Sequence, residues 1–184
     1  MIQLTNVTFS YPATPVLSDF SLTVGAGERV CLSGASGCGK TTVLRLIAGL
    51  ETPQSGTVQV CGKLAYVFQE NRLLSWLTPR ENIRLVAPAT DADALLASVG
   101  LSQAGDKPVG QLSGGMRRRV AIARALAMQA DVLLLDEPFN GLDDDAAALA
   151  AREILQVYGD KTVVLVSHHP RDAELLGTKV FKMD

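Results

Sequence analysis

The stretch that decides the fold is a glycine-rich segment that reads Gly34-Ala35-Ser36-Gly37-Cys38-Gly39-Lys40-Thr41-Thr42. An apolar run over residues 29–32 precedes it, and residues 43–50, with apolar positions at helical spacing, follow it. This order predicts a strand, a loop and a helix. Glycines let such a loop turn its backbone N–H groups around an oligophosphate, and the start of the helix adds partial positive charge. The nine residues are therefore predicted to bind the phosphates of a nucleotide.

Two carboxylates after a later apolar run supply the chemistry that such a loop needs. Lys40 can reach the β- and γ-phosphates, and the Thr41 hydroxyl can hold Mg²⁺. Residues 132–135 form a buried strand that ends in Asp136 and Glu137. Asp136 is placed to hold Mg²⁺ through its hydration shell, and Glu137 can polarise water against the γ-phosphate. The alternative is a surface turn that happens to carry two acids.

Two further polar residues follow apolar runs that are predicted to be buried strands. Gln69 comes after residues 64–68, and His168 comes after residues 162–167. Gln69 offers an amide oxygen to Mg²⁺ or water and is predicted to sense the state of the nucleotide, while His168 is predicted to contact the γ-phosphate. Each could instead be a plain hydrogen-bonded residue at a strand end. Together with Lys40 and Glu137 they form the predicted catalytic set.

The composition limits the classes of partner. A chain of 184 residues with 47% hydrophobic and 20% charged content predicts one globular domain over residues 1–184. A formal net charge of −2 argues against a nucleic-acid partner, and only residues 117–119 form a basic run. No apolar stretch approaches the roughly 20 residues of a membrane span, and the N-terminus lacks a secretory pattern. The three cysteines have no metal spacing, which fits a reduced cytosolic protein.

The order of strands and helices predicts an α/β fold of the P-loop NTPase type. Residues 2–9 and 20–24 indicate antiparallel strands joined by a proline-rich loop over 10–15, which carries Tyr11. Tyr11 could simply pack over the sheet edge. Strands then alternate with helices, which predicts a mostly parallel sheet flanked by helices, with ligands at the carboxyl ends of the strands. Residues 71–111 are predicted to form a small helical insert that continues into the next helix.

That next helix starts with a second potential anion site. Ser113, Gly114 and Gly115 combine a hydroxyl cap with two bare glycines at a helix N-terminus. The phosphate loop already holds the chain's own nucleotide, so a spare site for a γ-phosphate suggests that a second subunit brings its nucleotide there. The alternative is an ordinary helix cap that happens to contain glycines.

These motifs together resemble the ATPase domain of ABC transporters over nearly the whole chain. The matching motifs are residues 34–42 as Walker A, Gln69 as the Q-loop glutamine, residues 112–116 as the signature, residues 132–137 as Walker B, residues 140–143 as the D-loop and His168 as the switch histidine. The resemblance implies ATP and Mg²⁺ as cofactors. It adds Tyr11 as an adenine-stacking residue, and it implies a head-to-tail dimer, of two identical or two paired ABC ATPases, with ATP between Walker A and the partner's signature. Met116 departs from the usual glutamine of the signature.

The segment over residues 68–78 resembles that of importer ATPases of the nitrate, sulfonate and taurine group. The expected role is therefore an ATP-hydrolysing subunit that drives a separate membrane permease from the inner face of the cell membrane. An apolar patch around Trp76 could receive a helix of that permease, or it could be the insert's own core. A soluble assembly or repair ATPase is the second hypothesis, and a P-loop kinase or GTPase, which leaves the signature without a purpose, is the third.

Overall fold

A computed structural model describes residues 1–12 and 14–183. Its strands are β1 (Ile2–Tyr11), β2 (Thr14–Val24), β3 (Arg29–Ser33), β4 (Ser55–Val60), β5 (Leu64–Val67), β6 (Val132–Asp136), β7 (Thr162–Val166) and β8 (Lys179–Lys182). Its helices are α1 (Lys40–Ile47), α2 (Pro79–Arg84), α3 (Ala92–Ser98), α4 (Gly114–Ala127), α5 (Asp144–Tyr158) and α6 (Pro170–Leu175), with one 3₁₀ turn at Val109–Gln111. The predicted alternation of strands and helices is confirmed.

The larger sheet is parallel and has the strand order β5-β6-β7-β3-β8. Two of its three inner strands, β6 and β7, are buried at every position, as expected for strands covered on both faces. Leu133 and Leu135 point to the face covered by α4 and α5, whereas Val132 and Leu134 point to the face covered by α1 and the N-terminal strands. The two faces thus build two separate apolar cores, and the carboxyl ends of the strands meet at one edge.

The N-terminal strands form a sheet of their own, with the antiparallel order β2-β1-β4. The prediction of a loop over residues 10–15 was wrong. Backbone pairing continues to the Ser10–Pro15 and Tyr11–Thr14 pairs, so these four residues belong to strands. Position 13 of the predicted loop lies outside the described residues. Pro15 is compatible with a strand here because β2 lies at the edge of its sheet.

The segment over residues 71–111 is helical in part and has a small core of its own. Thr78 and Glu81 form a reciprocal capping box that starts α2, with Thr78 N donating to Glu81 Oε2 at 2.8 Å. Ile83 of α2 and Leu96 of α3 are fully buried in one apolar cluster with residues of α4. The core that joins this segment to α4 is therefore built from side chains of both.

Trp76 does not belong to that core. Its side chain is 72% exposed, and the apolar residues Leu85 and Val86, later in the same segment, are also exposed. The loop that carries Trp76 is held from behind by the buried Asn82 amide, which accepts a hydrogen bond from Leu74 N at 2.9 Å and donates to Leu74 O and Thr78 O. Of the two alternatives for the apolar patch, the insert's own core is therefore wrong for Trp76.

Candidate active site

A cleft of about 390 Å³ lies at the carboxyl edge of the parallel sheet. Eleven of the residues predicted from the sequence to act in catalysis, nucleotide binding or metal binding line it, namely Tyr11, Ser36, Gly37, Gly39, Lys40, Thr41, Thr42, Gln69, Asp136, Glu137 and His168. Two apolar side chains that the sequence had not singled out, Val16 and Val166, line it as well. Four of the five parts of the chain that line the cleft follow strands of the parallel sheet that end at the same edge. The fifth part, Tyr11 and Val16, comes from the N-terminal sheet.

The phosphate loop is closed by its own lysine. Lys40 Nζ donates to Gly34 O at 2.9 Å and to Ala35 O at 2.8 Å, so the ammonium lies inside the loop. A side chain at Gly34 would place its Cβ 2.5 Å from Met183 O, and Gly39 has a φ of +98°. Cys38 Sγ lies 3.8 Å from Lys40 Nζ. Gly34, Ala35 and Cys38 do not line the cleft, but they shape the loop that does.

A hydroxyl and a carboxylate form the part of the cleft that was predicted to hold a metal. Thr41 Oγ1 donates to Asp136 Oδ1 at 3.2 Å, and the Tyr66 hydroxyl donates to Asp136 Oδ2 at 3.4 Å. Burial raises the pKa of the Asp136 carboxyl, and the hydrogen bonds from Thr41 and Tyr66 act in the opposite direction. No sequence pattern singles out Tyr66, because it stands among apolar residues of β5 as an aromatic residue of a buried strand ordinarily does.

Gln69, the third predicted metal ligand, lines the same cleft after the end of β5. Within the described residues, no group of three or more His, Cys, Asp and Glu side chains could hold a metal ion. A hydroxyl, a carboxylate and an amide oxygen are hard donors that fit Mg²⁺, which takes its remaining ligands from water and nucleotide phosphates rather than from a protein cage. The residues present therefore fit magnesium held together with a nucleotide.

Glu137 and His168 face each other at the ends of β6 and β7. Glu137 Oε1 lies 3.3 Å from His168 Nε2, and the two side chains are 8% and 47% exposed. Glu137 Oε1 is buried beside His168 Nε2 and has no hydrogen-bond partner of good geometry within the described residues. Burial raises the pKa of the Glu137 carboxyl, while His168 lowers it. A higher pKa makes the carboxylate a better proton acceptor.

Tyr11 stands at the mouth of the cleft, on the last residue of β1. Its ring packs edge-to-face against Phe9, with the ring centroids 4.9 Å apart. The Tyr11 hydroxyl donates to Glu51 Oε1 at 3.4 Å, which ties the residue to the segment after α1. The ring therefore packs over the sheet and also borders the cleft, so both predicted roles are compatible with its position.

The Ser113-Gly114-Gly115 motif is not part of this cleft. Ser113 caps α4, with Met116 N donating to Ser113 Oγ at 3.2 Å. The space beside Gly114 is open, whereas Gly115 allows Gly141 O to approach to 3.1 Å from the position of a Cβ atom. Met116, which departs from the glutamine expected from the resemblance, is partly buried and packs against the insert core.

No helix in residues 1–12 and 14–183 combines the length and apolarity needed to cross a bilayer.

The fold is similar to solved structures that bind nucleotides. A dimeric post-hydrolysis state of an ATP-binding cassette bound to ADP and Pi superposes with a TM-score of 0.88 at 29% identity, covering 100% of this chain and 94% of the other. A bacterial Atm1-family ABC exporter with ATP bound gives a TM-score of 0.89 at 26% identity, covering 100% of this chain and 36% of the other.

Relatives are also found by sequence. The chain is 39% identical, over an alignment of 207 positions including gaps, to a bicarbonate transport ATP-binding protein of Synechocystis sp., covering 99% of this chain and 73% of the relative. It is 42% identical over 188 residues to an aliphatic sulfonates import ATP-binding protein of Agrobacterium fabrum, covering 95% and 72%. It is 38% identical over 199 residues to a nitrate import ATP-binding protein of Synechococcus elongatus, covering 96% and 73%. The family model described as ABC transporter matches residues 17–140, and the chain belongs to the ABC transporter family.

Proposed function

We propose that this chain is the ATP-binding and ATP-hydrolysing subunit of an ABC importer and that it drives a separate membrane permease. The observation that carries the proposal is the single cleft in which the phosphate loop, the Thr41–Asp136 pair and the Glu137–His168 pair meet. Phosphoryl transfer needs a phosphate cradle, a metal, a group that orients water and a group near the γ-phosphate. Each has a candidate in this cleft.

The roles follow from what each side chain can donate or accept. When ATP binds, Lys40 replaces a hydrogen bond to a carbonyl of its own loop with hydrogen bonds to phosphate oxygens. Glu137 Oε1 accepts a proton or a hydrogen bond from the attacking water. His168 bridges Glu137 and the γ-phosphate. Bound Mg²⁺ supplies neutralisation of phosphate charge, and Thr41, Asp136 and Gln69 are the residues that would hold it.

The second half of the site comes from a second ABC ATPase, most simply a second copy of this chain. Ser113, Gly114 and Gly115 sit at the start of a helix of 14 residues, outside the chain's own cleft and with open space at Gly114. Free N–H groups at that helix start suit an anion. In a head-to-tail dimer each chain would present this motif to the γ-phosphate held by its partner, and closure would depend on ATP.

The relatives support an importer of a small oxyanion. The names of the three relatives above assign them to bicarbonate transport, sulfonate import and nitrate import. Accordingly, we place this chain on the cytoplasmic face of the membrane. The exposed Trp76, with Leu85 and Val86 nearby in sequence, is the apolar surface that we assign to the permease.

Two measurements test this function. Purified protein should hydrolyse ATP only with Mg²⁺ present, and a protein that shows no MgATP turnover even with its membrane partner added would overturn the proposal. A pull-down from detergent-solubilised membranes should recover a multi-helix permease, and Trp76→Glu should abolish that recovery without reducing ATP binding. Recovery of soluble proteins alone would favour the assembly-factor hypothesis instead.

A further inference from the structure

Arg118 is a buried cation in a helix that carries the signature motif at its start. It is the middle residue of the basic run 117–119, and only 3% of it is exposed. Full burial of an arginine is rare unless its N–H groups are satisfied. The N–H groups of the Arg118 guanidinium therefore need hydrogen-bond acceptors inside the protein.

One side of the guanidinium holds the turn that carries the catalytic carboxylate. Arg118 Nε donates to Pro138 O at 2.8 Å, and Nη2 donates to Asp136 O at 2.6 Å and to Glu137 O at 2.7 Å. Three consecutive carbonyls are thus fixed by a single side chain. The turn needs such support because Glu137 has a φ of +50°, in the left-handed region that residues other than glycine rarely adopt.

The other side holds the turn that carries the predicted nucleotide sensor. Arg118 Nη1 donates to Phe68 O, to Gln69 O at 3.3 Å and to Asn71 Oδ1 at 3.3 Å. Arginine has five N–H donors in a planar fork, and these contacts occupy every nitrogen. The planar fork therefore bridges the ends of β5 and β6 and fixes both to α4.

The contacts of Arg118 are to backbone carbonyls and one amide, and no carboxylate accepts a hydrogen bond from it within residues 1–12 and 14–183. Burial lowers the pKa of Arg118 to about 10, so it stays charged at neutral pH. The buried guanidinium is thus stabilised by hydrogen bonds to the backbone carbonyls of two turns rather than by a salt bridge.

We propose that Arg118 is a positioning residue for ATP hydrolysis. It keeps Glu137 and Gln69 in a fixed position relative to α4, the helix that begins with the signature motif. This inference rests on the proposed ATPase function. Among the described residues, Arg118 makes no hydrogen bond to the phosphate loop, so we expect it to act on turnover and not on the initial capture of ATP. Movement of α4 on closure of a dimer is transmitted through it to both turns at once.

The test compares Arg118→Gln with Arg119→Gln. Arg119 is the matched control because it follows on the same helix and its Nη1 also donates to two carbonyls, Val99 O and Gly100 O, which lie away from the cleft. Arg118→Gln should lower kcat on the order of 10- to 100-fold, the cost of a small misplacement of catalytic groups, with the KM for ATP within about threefold of wild type. Arg119→Gln should keep the wild-type kcat.

Hydrogen exchange gives a readout that does not depend on activity. In Arg118→Gln, peptides covering residues 68–72 and 137–142 should exchange faster, while peptides of the phosphate loop should not change. In Arg119→Gln, faster exchange should be confined to the region around residues 99–105. Arg118→Lys, which keeps the charge but has one donor atom in place of the fork, should behave as Arg118→Gln does, and it serves as the second variant where the glutamine protein does not fold.

The outcomes separate this inference from the proposed function. Wild-type protein that hydrolyses MgATP while Arg118→Gln keeps its kcat would overturn the role of Arg118 and leave the ATPase function standing. Full activity of Arg118→Lys would equally overturn it, because charge alone would then suffice. An equal loss of kcat in both glutamine variants would overturn it too, since it would indicate general damage to α4.

Discussion

His168 Nε2 lies 3.3 Å from Glu137 Oε1, at the ends of two adjacent parallel strands. The ladder places Asp136 beside Val166, and Glu137 N donates to Val166 O at 2.9 Å, so the two strand ends are in register up to the turn. The histidine and the glutamate therefore face each other because of strand pairing. The relationship gives the carboxylate a polar neighbour while leaving its Oε1 atom without a hydrogen-bond partner among the described residues.

Glu137→Gln should abolish most of the ATP turnover and retain ATP binding. We expect a loss of about 10²- to 10⁴-fold in kcat, because the amide cannot accept the proton of the attacking water. Steady-state phosphate release and equilibrium binding of a fluorescent ATP analogue measure the two quantities. Glu153→Gln is the control, since Glu153 is similarly buried but lies on α5 and does not line the cleft. Undiminished turnover of the Glu137 variant would contradict the assigned role.

Two inactive variants should restore activity when they are mixed. Lys40→Ala damages the phosphate loop and Ser113→Arg damages the motif that is expected to face the partner's nucleotide, so each homodimer has no intact site. A mixed dimer has one site with both halves intact, and random pairing should give about a quarter of wild-type turnover. Mixtures that stay inactive, although subunit exchange is verified by labelled protein, would argue against a site shared between two chains.

Glu137→Gln should also stabilise the nucleotide-free protein at neutral pH. Burial raises the folded-state pKa of Glu137 above its value of 4.5 in the unfolded chain, so the folded protein binds a proton more readily than the unfolded one. The charged carboxylate therefore costs stability, and this cost grows as the pH rises from 4.5 through the raised pKa and is constant above it. Thermal melts at pH 4.5 and pH 8 should show the advantage of glutamine at the higher pH alone. A less stable variant at pH 8 would refute this account.

The phosphate loop should tolerate a methyl group at Gly37 better than at Gly34. A Cβ at Gly34 would meet Met183 O at 2.5 Å, whereas one at Gly37, despite a φ of +84°, would meet nothing within 4 Å. Gly34→Ala should cost up to about 3 kcal/mol through overpacking against a backbone oxygen, and Gly37→Ala less, about 1–2 kcal/mol through backbone strain. Urea unfolding measures both. Equal losses would indicate that the contact with Met183 is easily relieved.

Much of the cleft could be predicted from the sequence because its residues share a simple pattern. Gln69, Asp136, Glu137 and His168 each follow an apolar run, and such runs become buried parallel strands whose carboxyl ends meet. The Ser113 cap and the capping box at Thr78 were equally readable, because caps depend on residues three positions apart. In each case the pattern is local in sequence, and the parallel topology brings the strand ends together at one edge of the sheet.

Other features depend on contacts between residues far apart in the chain. Arg118 and Phe68 are 50 positions apart and Tyr66 and Asp136 are 70 positions apart, and neither pair leaves a periodic signal. Trp76 and Leu73 are both apolar residues of one short segment, yet Leu73 packs against the insert core and Trp76 faces outward.

The sequence by itself determined which of the polar residues at strand ends line the cleft, because each of them follows an apolar run that becomes a parallel strand. Only the tertiary structure decided that Arg118 is buried and hydrogen-bonded to two turns, and that the Tyr66 hydroxyl reaches Asp136. The physical reason is that burial and hydrogen-bond partners are properties of the packed chain, set where helices and strands distant in sequence come into contact.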